Sequence, residues 1–470
     1  MYPIANPDKK RSGITLYMIL LFLFSGIFND NLKAEQKIVI SLDEAVKIAL
    51  KNYPEFKQSA NSVSLADIDV RSRKSNFLPD LNAVSSYSKR RAKSPDPVNG
   101  EYTALDSDSL NFTLSSNFNI FNGFFDFYQL KKAELTRESA NENHLRFKQD
   151  VAFLTLQKFT NTLIAKEFIN VEMENLEAQT LMLEKINDFF ESGKKPITDL
   201  YQQKADISRS RLNLMDAKQS YITAKLDLNR ILGINDINNF TLMKPDIPDS
   251  EKADGSNNKN SILNRALKLR KDLVAQLKRV EASDKNISAA KSGYWPKLSL
   301  FANLSSGYSG LDNQYSYSEQ LFKNNPAYSA GLTLSVPIFN KNSVRNSIAT
   351  AKIQYENDKL EIEKLNRKIA NEVREAIENY KTAIGQIKAA ESQVKYSKAA
   401  LQSIQDRYNV NASTITELTQ ARAKYKQAGF DLIKAKYNLL TREAAVYYYS
   451  GNGKKLFSLL KGENKGEKNE

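Results

Sequence analysis

The chain has 470 residues with only 17 Gly and 12 Pro, and so few turn formers favour long uninterrupted elements. It has no cysteine and a single histidine, which excludes disulfides, thiolate metal sites, a cysteine nucleophile, a zinc site and a Ser–His–Asp triad. The net charge is +14, but Lys and Glu are interspersed along the helical stretches, as from Glu361 to Lys368, so the charge does not gather on one face as a nucleic-acid partner would require.

Residues 1–34 read as a secretory signal: Lys9-Lys10-Arg11 precede an apolar run from Ile14 to Phe28, and Ala34 can end it. No other stretch could be a transmembrane helix, so any membrane insertion must be by strands. From Ser41 to Lys74 the pattern is helical, with Leu42, Ala45, Val46, Ala49 and Leu50 at three- and four-residue steps and Ser41/Glu44 as a capping box. Pro54 interrupts this helix early. In Asp108–Phe121 the even positions Leu110, Phe112, Leu114, Phe118 and Ile120 are apolar and the odd ones polar, which predicts a strand with one greasy and one wet face. With Leu81, Ala83 and Tyr87 before it, this makes a hairpin over 80–121, with 89–107 as its polar loop.

A long helix follows over 125–191, with Ala152, Leu156, Phe159 and Leu163 as its stripe. His144, in Glu142-Asn143-His144, reads as part of a solvated face. The helix stops in a tip over 192–198, where Gly193 and Pro196 mark stop and restart and Thr198 can cap the helix that runs over 199–232 to Gly233. Residues 234–260 read as a polar connector, and 261–291 as one more helix. This shorter pair matches the long helix in length, so the two can stack end to end beside it.

The second half repeats the first. A shift of 218 residues lays Ile120-Phe121-Asn122 on Ile338-Phe339-Asn340, Ile197-Thr198-Asp199-Leu200 on Ile415-Thr416-Glu417-Leu418, and Gly233 on Gly451. The repeats are therefore 35–233 and 261–452. The second has its hairpin over 297–339, with strands Leu298–Tyr308 and Tyr328–Ile338 and a polar loop over 311–326. Its long helix carries Val373, Ile377, Tyr380, Ile384 and Ile387, and its tip spans 409–415. Residues 453–470 read as a charged, disordered tail.

Each strand is long enough to cross a bilayer. Four strands cannot close a barrel, and open edges in lipid leave backbone groups unsatisfied, so copies of the chain must pool their strands. Helices projecting together from one face of such a barrel enclose a wet tube. No P-loop, dinucleotide fingerprint or zincin motif occurs, and no constellation makes or breaks bonds. The pattern therefore describes a conduit rather than an enzyme and implies no cofactor. An exported coiled-coil spacer or adhesin without a pore is the alternative.

The chain resembles the TolC-like outer-membrane efflux proteins. The marks are Ser41-Leu42-Asp43-Glu44-Ala45, Leu78-Pro79-x-Leu81 with its twin Trp295-Pro296-x-Leu298, Ile120-Phe121-Asn122-Gly123, Val336-Pro337-Ile338-Phe339-Asn340, and the paired tips. The resemblance implies a mainly α fold with a transmembrane β part: a homotrimer whose 12-stranded β-barrel continues into a periplasmic α-helical coiled-coil tunnel, with the connector and C-terminal segment as an equatorial belt. It implies outer-membrane lipid, a periplasmic adaptor and an inner-membrane transporter of RND, ABC or MFS type as partners, in efflux or type I secretion. At the tips it implies a gate. Asp199 and Tyr408 correspond to a carboxylate–phenol link of the closed state, and Glu417 to a first acidic ring; simple helix N-terminal charge is the alternative for Asp199 and Glu417. Ser413 stands where an arginine is typical and Gln420 where a second acidic ring would be. Thr198 completes this set, and Gly193, Lys194, Lys195 and Asn411 are the expected adaptor contacts.

Overall fold

The computed structural model describes residues 38–95, 100, 102–247, 259–312 and 314–462. The expected signal over 1–34 lies outside them, as do 248–258 of the connector and 463–470 of the tail.

The short strand β1 (Ile38–Ile40) leads into helix α1 (Leu42–Asn52). The capping box forms: Ser41 Oγ accepts from the Glu44 amide at 3.3 Å, and Glu44 Oε2 accepts from the Ser41 amide at 2.8 Å. Pro54 restarts the chain as α2 (Pro54–Ser75), at the first helical position, where its missing donor costs nothing. Strands β2 (Asn82–Pro95) and β3 (Tyr102–Phe121) precede the long α3 (Phe125–Glu191) and α4 (Ile197–Leu232). Strand β4 (Phe240–Leu242) pairs in parallel with β1. Helices α5 (Lys259–Leu269) and α6 (Lys271–Lys291), strands β5 (Lys297–Ser309) and β6 (Ala327–Ser335), and helices α7 (Ser343–Asn409), α8 (Ile415–Tyr449) and α9 (Gly453–Lys461) complete the order.

The repeat is visible in the backbone. Helices α3 and α7 each have 67 residues, and both ends are offset by 218. The positive-φ positions Gly123, Phe124, Gly193 and Gly233 recur at the same offset as Lys341, Asn342, Asn411 and Gly451. Glycine is needed at 123 for a second reason: a Cβ there would lie 2.6 Å from the Ser292 carbonyl oxygen.

The four long strands form one antiparallel sheet in the order β2-β3-β5-β6. Ala83, Leu114, Leu304 and Tyr328 stand in one row across it, and Phe118, Leu300 and Leu332 in another. Opposite residues share a face, so the apolar positions read from sequence make one continuous apolar surface. The hairpin differs from expectation at its far end. The β2–β3 ladder continues through 89–95 and 102–107, the span expected to be loop, while β5 joins β3 only from Ser109. The ribbon beyond the sheet carries Lys89–Asp108 at 4.0 Å and Arg91–Asp106 at 3.4 Å. Lys89, Arg90, Arg91 and Lys93 put charges on both its faces, so the alternation that betrays a strand is lost. In the second hairpin, residues 317–324 form a helical turn pinned by Gln320, whose amide donates to the Ser309, Asp312 and Tyr315 carbonyls at 3.1–3.3 Å. Strand β6 ends at Ser335, short of the expected Ile338, just before Pro337, which has no donor for the ladder.

Helix α3 is flanked along its whole length of roughly 100 Å. Over its first half, Lys132 and Ser139 reach Asn286 and the Ala275 carbonyl on α6 at 3.0 and 2.8 Å. Over its second half, Thr162 and Gln179 reach the Ala224 carbonyl and Ser210 on α4 at 3.1 and 2.9 Å. The helix expected over 261–291 is broken at Arg270, an extended residue with 2% exposure whose guanidinium holds Asp272 at 2.6 Å and Glu372 at 2.5 Å. That buried charge needs both carboxylates.

The largest core joins α1, β1, β4, α3, α4, α8 and α9 around Leu156, Phe159 and Leu163. Three readings are corrected here. The connector is not polar throughout, since Phe240 and Leu242 are buried in β4. The tail is not disordered from 453: α9 buries Leu456, Leu459 and Leu460, a helical stripe masked in the sequence by Lys and Glu around it. His144 is not on a solvated face: it is half-buried, stacks on Phe56 at 4.7 Å and shares a hydrogen bond with Ser59 Oγ at 3.0 Å, and burial lowers its pKa. The docking of α9 predicts that Leu456→Ala destabilises the protein by about 2–5 kcal/mol, read as a lower thermal midpoint, while Lys454→Ala, on the exposed side, leaves it unchanged.

Candidate functional site at the helix tips

Each long helix ends in a turn that sends the chain back. After Glu191, Gly193 adopts φ 72 and the Lys194 amide donates to the Phe189 carbonyl at 2.7 Å. After Asn409, Asn411 adopts φ 63 and the Ala412 amide donates to the Arg407 carbonyl at 2.8 Å. These are the same left-handed cap built from different residues: Gly carries no penalty there, and Asn bears it better than most. The dissimilar tip sequences therefore share one backbone.

The two restarts differ. Thr414 caps α8: its Oγ1 accepts from the Glu417 amide at 3.2 Å, while Glu417 Oε2 accepts from the Thr414 amide at 3.1 Å and from Ser413 Oγ at 2.5 Å. The Ser413 hydroxyl, then the Thr414 amide, hold the Glu417 pKa below its ordinary value. Helix α4 starts two residues earlier than expected for a Thr198 cap: Pro196 is the cap residue, without a side-chain bond, and Thr198 is exposed inside the first turn. Pro196 fixes the entry to the helix by its ring, so a hydroxyl cap is not needed.

Asp199 and Tyr408, 209 residues apart, meet: the Tyr408 hydroxyl donates to Asp199 Oδ2 at 2.7 Å. Tyr408 has 0% exposure and packs with Met182, Ile186, Leu200, Ile415 and Leu418 in a core drawn from both halves. Burial first, then the Asp199 hydrogen bond and charge, push the phenol's pKa far above its usual value. A buried hydrogen bond to a charged acceptor contributes about 1.5–3 kcal/mol. Lys195 Nζ lies 3.7 Å from the centre of the Tyr408 ring, so the phenol is gripped at its hydroxyl and on its face. Asp199 is thus more than a helix N-terminal charge. Lys194, Gly193, Asn411 and Gln420 are exposed, and Ser413 is half-buried.

Sequence reasoning missed the Lys195 contact and two further bridges between the halves. Asp206 accepts from Thr419 Oγ1 at 2.9 Å, and Lys426 pairs with Glu172 at 3.1 Å. Their heptad steps, 199 to 206 and 419 to 426, were the available signal. Among the described residues no group of His, Cys, Asp and Glu could hold a metal, and no helix is long and apolar enough to cross a membrane.

The chain matches the outer membrane efflux protein family over residues 45–234 and 262–452, one segment for each half. It belongs to that family. Among its relatives, the outer membrane protein TolC of Escherichia coli (strain K12) is 23% identical over 400 residues, which cover 84% of this chain and 78% of TolC. The alkaline protease secretion protein AprF of Pseudomonas aeruginosa is 22% identical over 450 residues, covering 93% and 89%. The crystal structure of CusC superposes with a TM-score of 0.74 at 16% identity, over 90% of this chain and 95% of that one. The Campylobacter jejuni CmeC outer membrane channel gives 0.73 at 18% identity, over 90% and 89%. The protein thus has the fold of the outer-membrane channels, is an outer-membrane protein and is not an enzyme.

The two restarts make a differential prediction. Thr414→Ala removes a cap contributing about 1 kcal/mol and speeds tryptic cleavage after Arg407, whereas Thr198→Ala leaves cleavage after Lys194 at the wild-type rate.

Proposed function

We propose that this protein is the outer-membrane exit duct of a tripartite efflux or type I secretion system, a passive conduit closed at its periplasmic tips. The single observation that carries the reading is the Tyr408–Asp199 contact in a fold of this family: a buried bond between the two halves, placed where the tunnel turns back on itself. The names of the relatives support both arms, since one is an alkaline protease secretion protein and another a toxin and drug export protein.

Assembly follows from the sheet. Strands β2 and β6 are its edges, with unpaired backbone groups that lipid cannot satisfy. Three copies supply twelve strands, enough to close a barrel. The helices then continue the barrel as a tunnel in the periplasm. The core around α1, β1, β4 and α9 forms its equatorial belt. A periplasmic adaptor grips the exposed tip residues Gly193, Lys194 and Asn411, and an inner-membrane transporter of RND, ABC or MFS type supplies the energy.

Closure is set by named groups. Tyr408 plugs the seam between the halves, Asp199 holds its hydroxyl and Lys195 covers its ring. Glu417 is the acidic group of the aperture, with Ser413 bonded to it and Thr198 on the first turn of the opposite tip helix. Its carboxylate is engaged by Ser413 and Thr414, so less of it is free to attract cations. Gln420 adds no charge where a second acidic ring would stand. Docking of the adaptor separates the halves and admits water to the Asp199–Tyr408 pair, opening the duct.

Planar-bilayer conductance of the purified protein tests this. Tyr408→Phe and Asp199→Ala each shift the closed-to-open balance by about tenfold toward open, the equivalent of the lost bond, and the detergent-solubilised protein has the mass of a trimer. A monomeric mass, or no conductance from any form, overturns the duct in favour of a spacer.

A further inference from the structure

Beyond the Tyr408 contact the two halves meet again on the same faces. Asp206 lies seven residues from Asp199, two turns along α4, so both carboxylates point to one seam. Asp206 is 6% exposed and accepts from Thr419 Oγ1 at 2.9 Å and from Gln202 Nε2 at 3.2 Å. Thr419 belongs to α8, in the other half. Arg422, one turn further along α8, is half-buried; burial lowers its pKa, and the charge of Asp206 opposes that shift only in part. Lys426, another turn on, reaches the buried Glu172 of α3 at 3.1 Å. In the bonds that cross the seam the acids Asp199, Asp206 and Glu172 come from the first half and the donors Tyr408, Thr419 and Lys426 from the second. Past Lys426 the seam becomes aromatic, with Phe168 and Phe430 ring centres 4.4 Å apart.

A buried carboxylate is costly when it loses a donor to an apolar surrounding, but not when water replaces the donor. The Asp206–Thr419 bond therefore holds while the seam is dry and parts at little cost once the seam is wet. The Phe168–Phe430 contact behaves oppositely, because parting it exposes apolar area. The seam is thus built to open from the tip as far as Lys426 and to stop at the aromatic pair.

Resting on the duct reading above, we infer that Asp206 and Thr419 form a second latch of the gate, in parallel with Asp199 and Tyr408, so that either latch alone keeps most channels shut. Asp206 acts as a positioning residue: it fixes the start of α8 against α4. Thr419 is the better handle, because Thr419→Val keeps the side-chain shape and removes only the hydroxyl.

The test is bilayer conductance of the full chain, with amide hydrogen exchange over 415–422 as a second readout. Thr419→Val alone raises the open fraction modestly. In the Asp199→Ala background it raises it by about tenfold more than Asp199→Ala alone, and the exchange protection of 415–422 falls in step. Thr419→Ser, which keeps the hydroxyl, stays at the level of its background. The second latch is overturned if Thr419→Val changes neither conductance nor exchange in the Asp199→Ala background, or if Thr419→Ser opens the channel as much as Thr419→Val does. Absence of conductance from every form, wild type included, sinks the duct reading instead, and the exchange comparison still decides whether Thr419 holds the seam.

Discussion

Two helices of 67 residues each set the terms for everything else in this protein. A helix of that length draws its stability from packing, not from propensity, so it must be covered along its whole span. The chain meets the demand by laying shorter helices end to end: α6 and α4 beside α3, and α8 along the tipward part of α7. The joints between the short helices then become the interesting places. At one of them Arg270 is buried with its two carboxylates, and Gly451, with φ 72, packs so closely that a Cβ would come within 2.9 Å of the Arg270 amide nitrogen. The equatorial core grows around these joints, which is why α9 and β4 gather there.

At the tips the same logic runs out. The long helices reverse, no further element can lie across their ends, and the contact between the halves falls to a few side chains. Tyr408 suits that position because it combines two demands. Its ring is large enough to complete the small core at the tip. Its hydroxyl needs a polar partner when buried, and Asp199 supplies it. An aliphatic residue would fill the space and hold the halves together by area alone, with nothing for water to compete for. The phenol–carboxylate pair makes the contact between the halves depend on the seam staying dry.

The sequence was most legible where one period governs a long stretch. The even positions of β3 and the stripe of Leu156, Phe159 and Leu163 each repeat often enough to rise above chance. The offset of 218 was readable at element ends such as Gly233/Gly451, where a left-handed cap leaves little choice of residue, whereas the equivalent cap at Gly193/Asn411 is hidden by a change of residue. Legibility failed where the period was interrupted or had no apolar face. The β2–β3 ribbon beyond Ser109 carries charges at successive positions, Lys89, Arg90 and Arg91, and so looks like a loop. Helix α9 is nine residues long among charges, too short for its stripe of Leu456, Leu459 and Leu460 to stand out. His144 looked solvated because its neighbours in the chain are polar, while the group that decides its surroundings, Phe56, lies 88 residues away in the sequence.

The tips show the same division at finer scale. Asp199 and Tyr408 were readable only through the family resemblance, since no local pattern links residues 209 apart. Lys195 over Tyr408 follows from neither period nor resemblance: it depends on how the first tip folds back across the second half. The departures at Ser413 and Gln420 take on their meaning from this geometry. Ser413 spends its hydroxyl on Glu417, stiffening the start of α8 instead of reaching across to another helix pair. The cation at this contact comes instead from the opposite tip loop, as Lys195, and it acts on the ring of Tyr408 rather than on a carboxylate. The contact between the two halves at the tip thus rests on side chains from both repeats, Asp199 and Lys195 from the first and Tyr408 from the second.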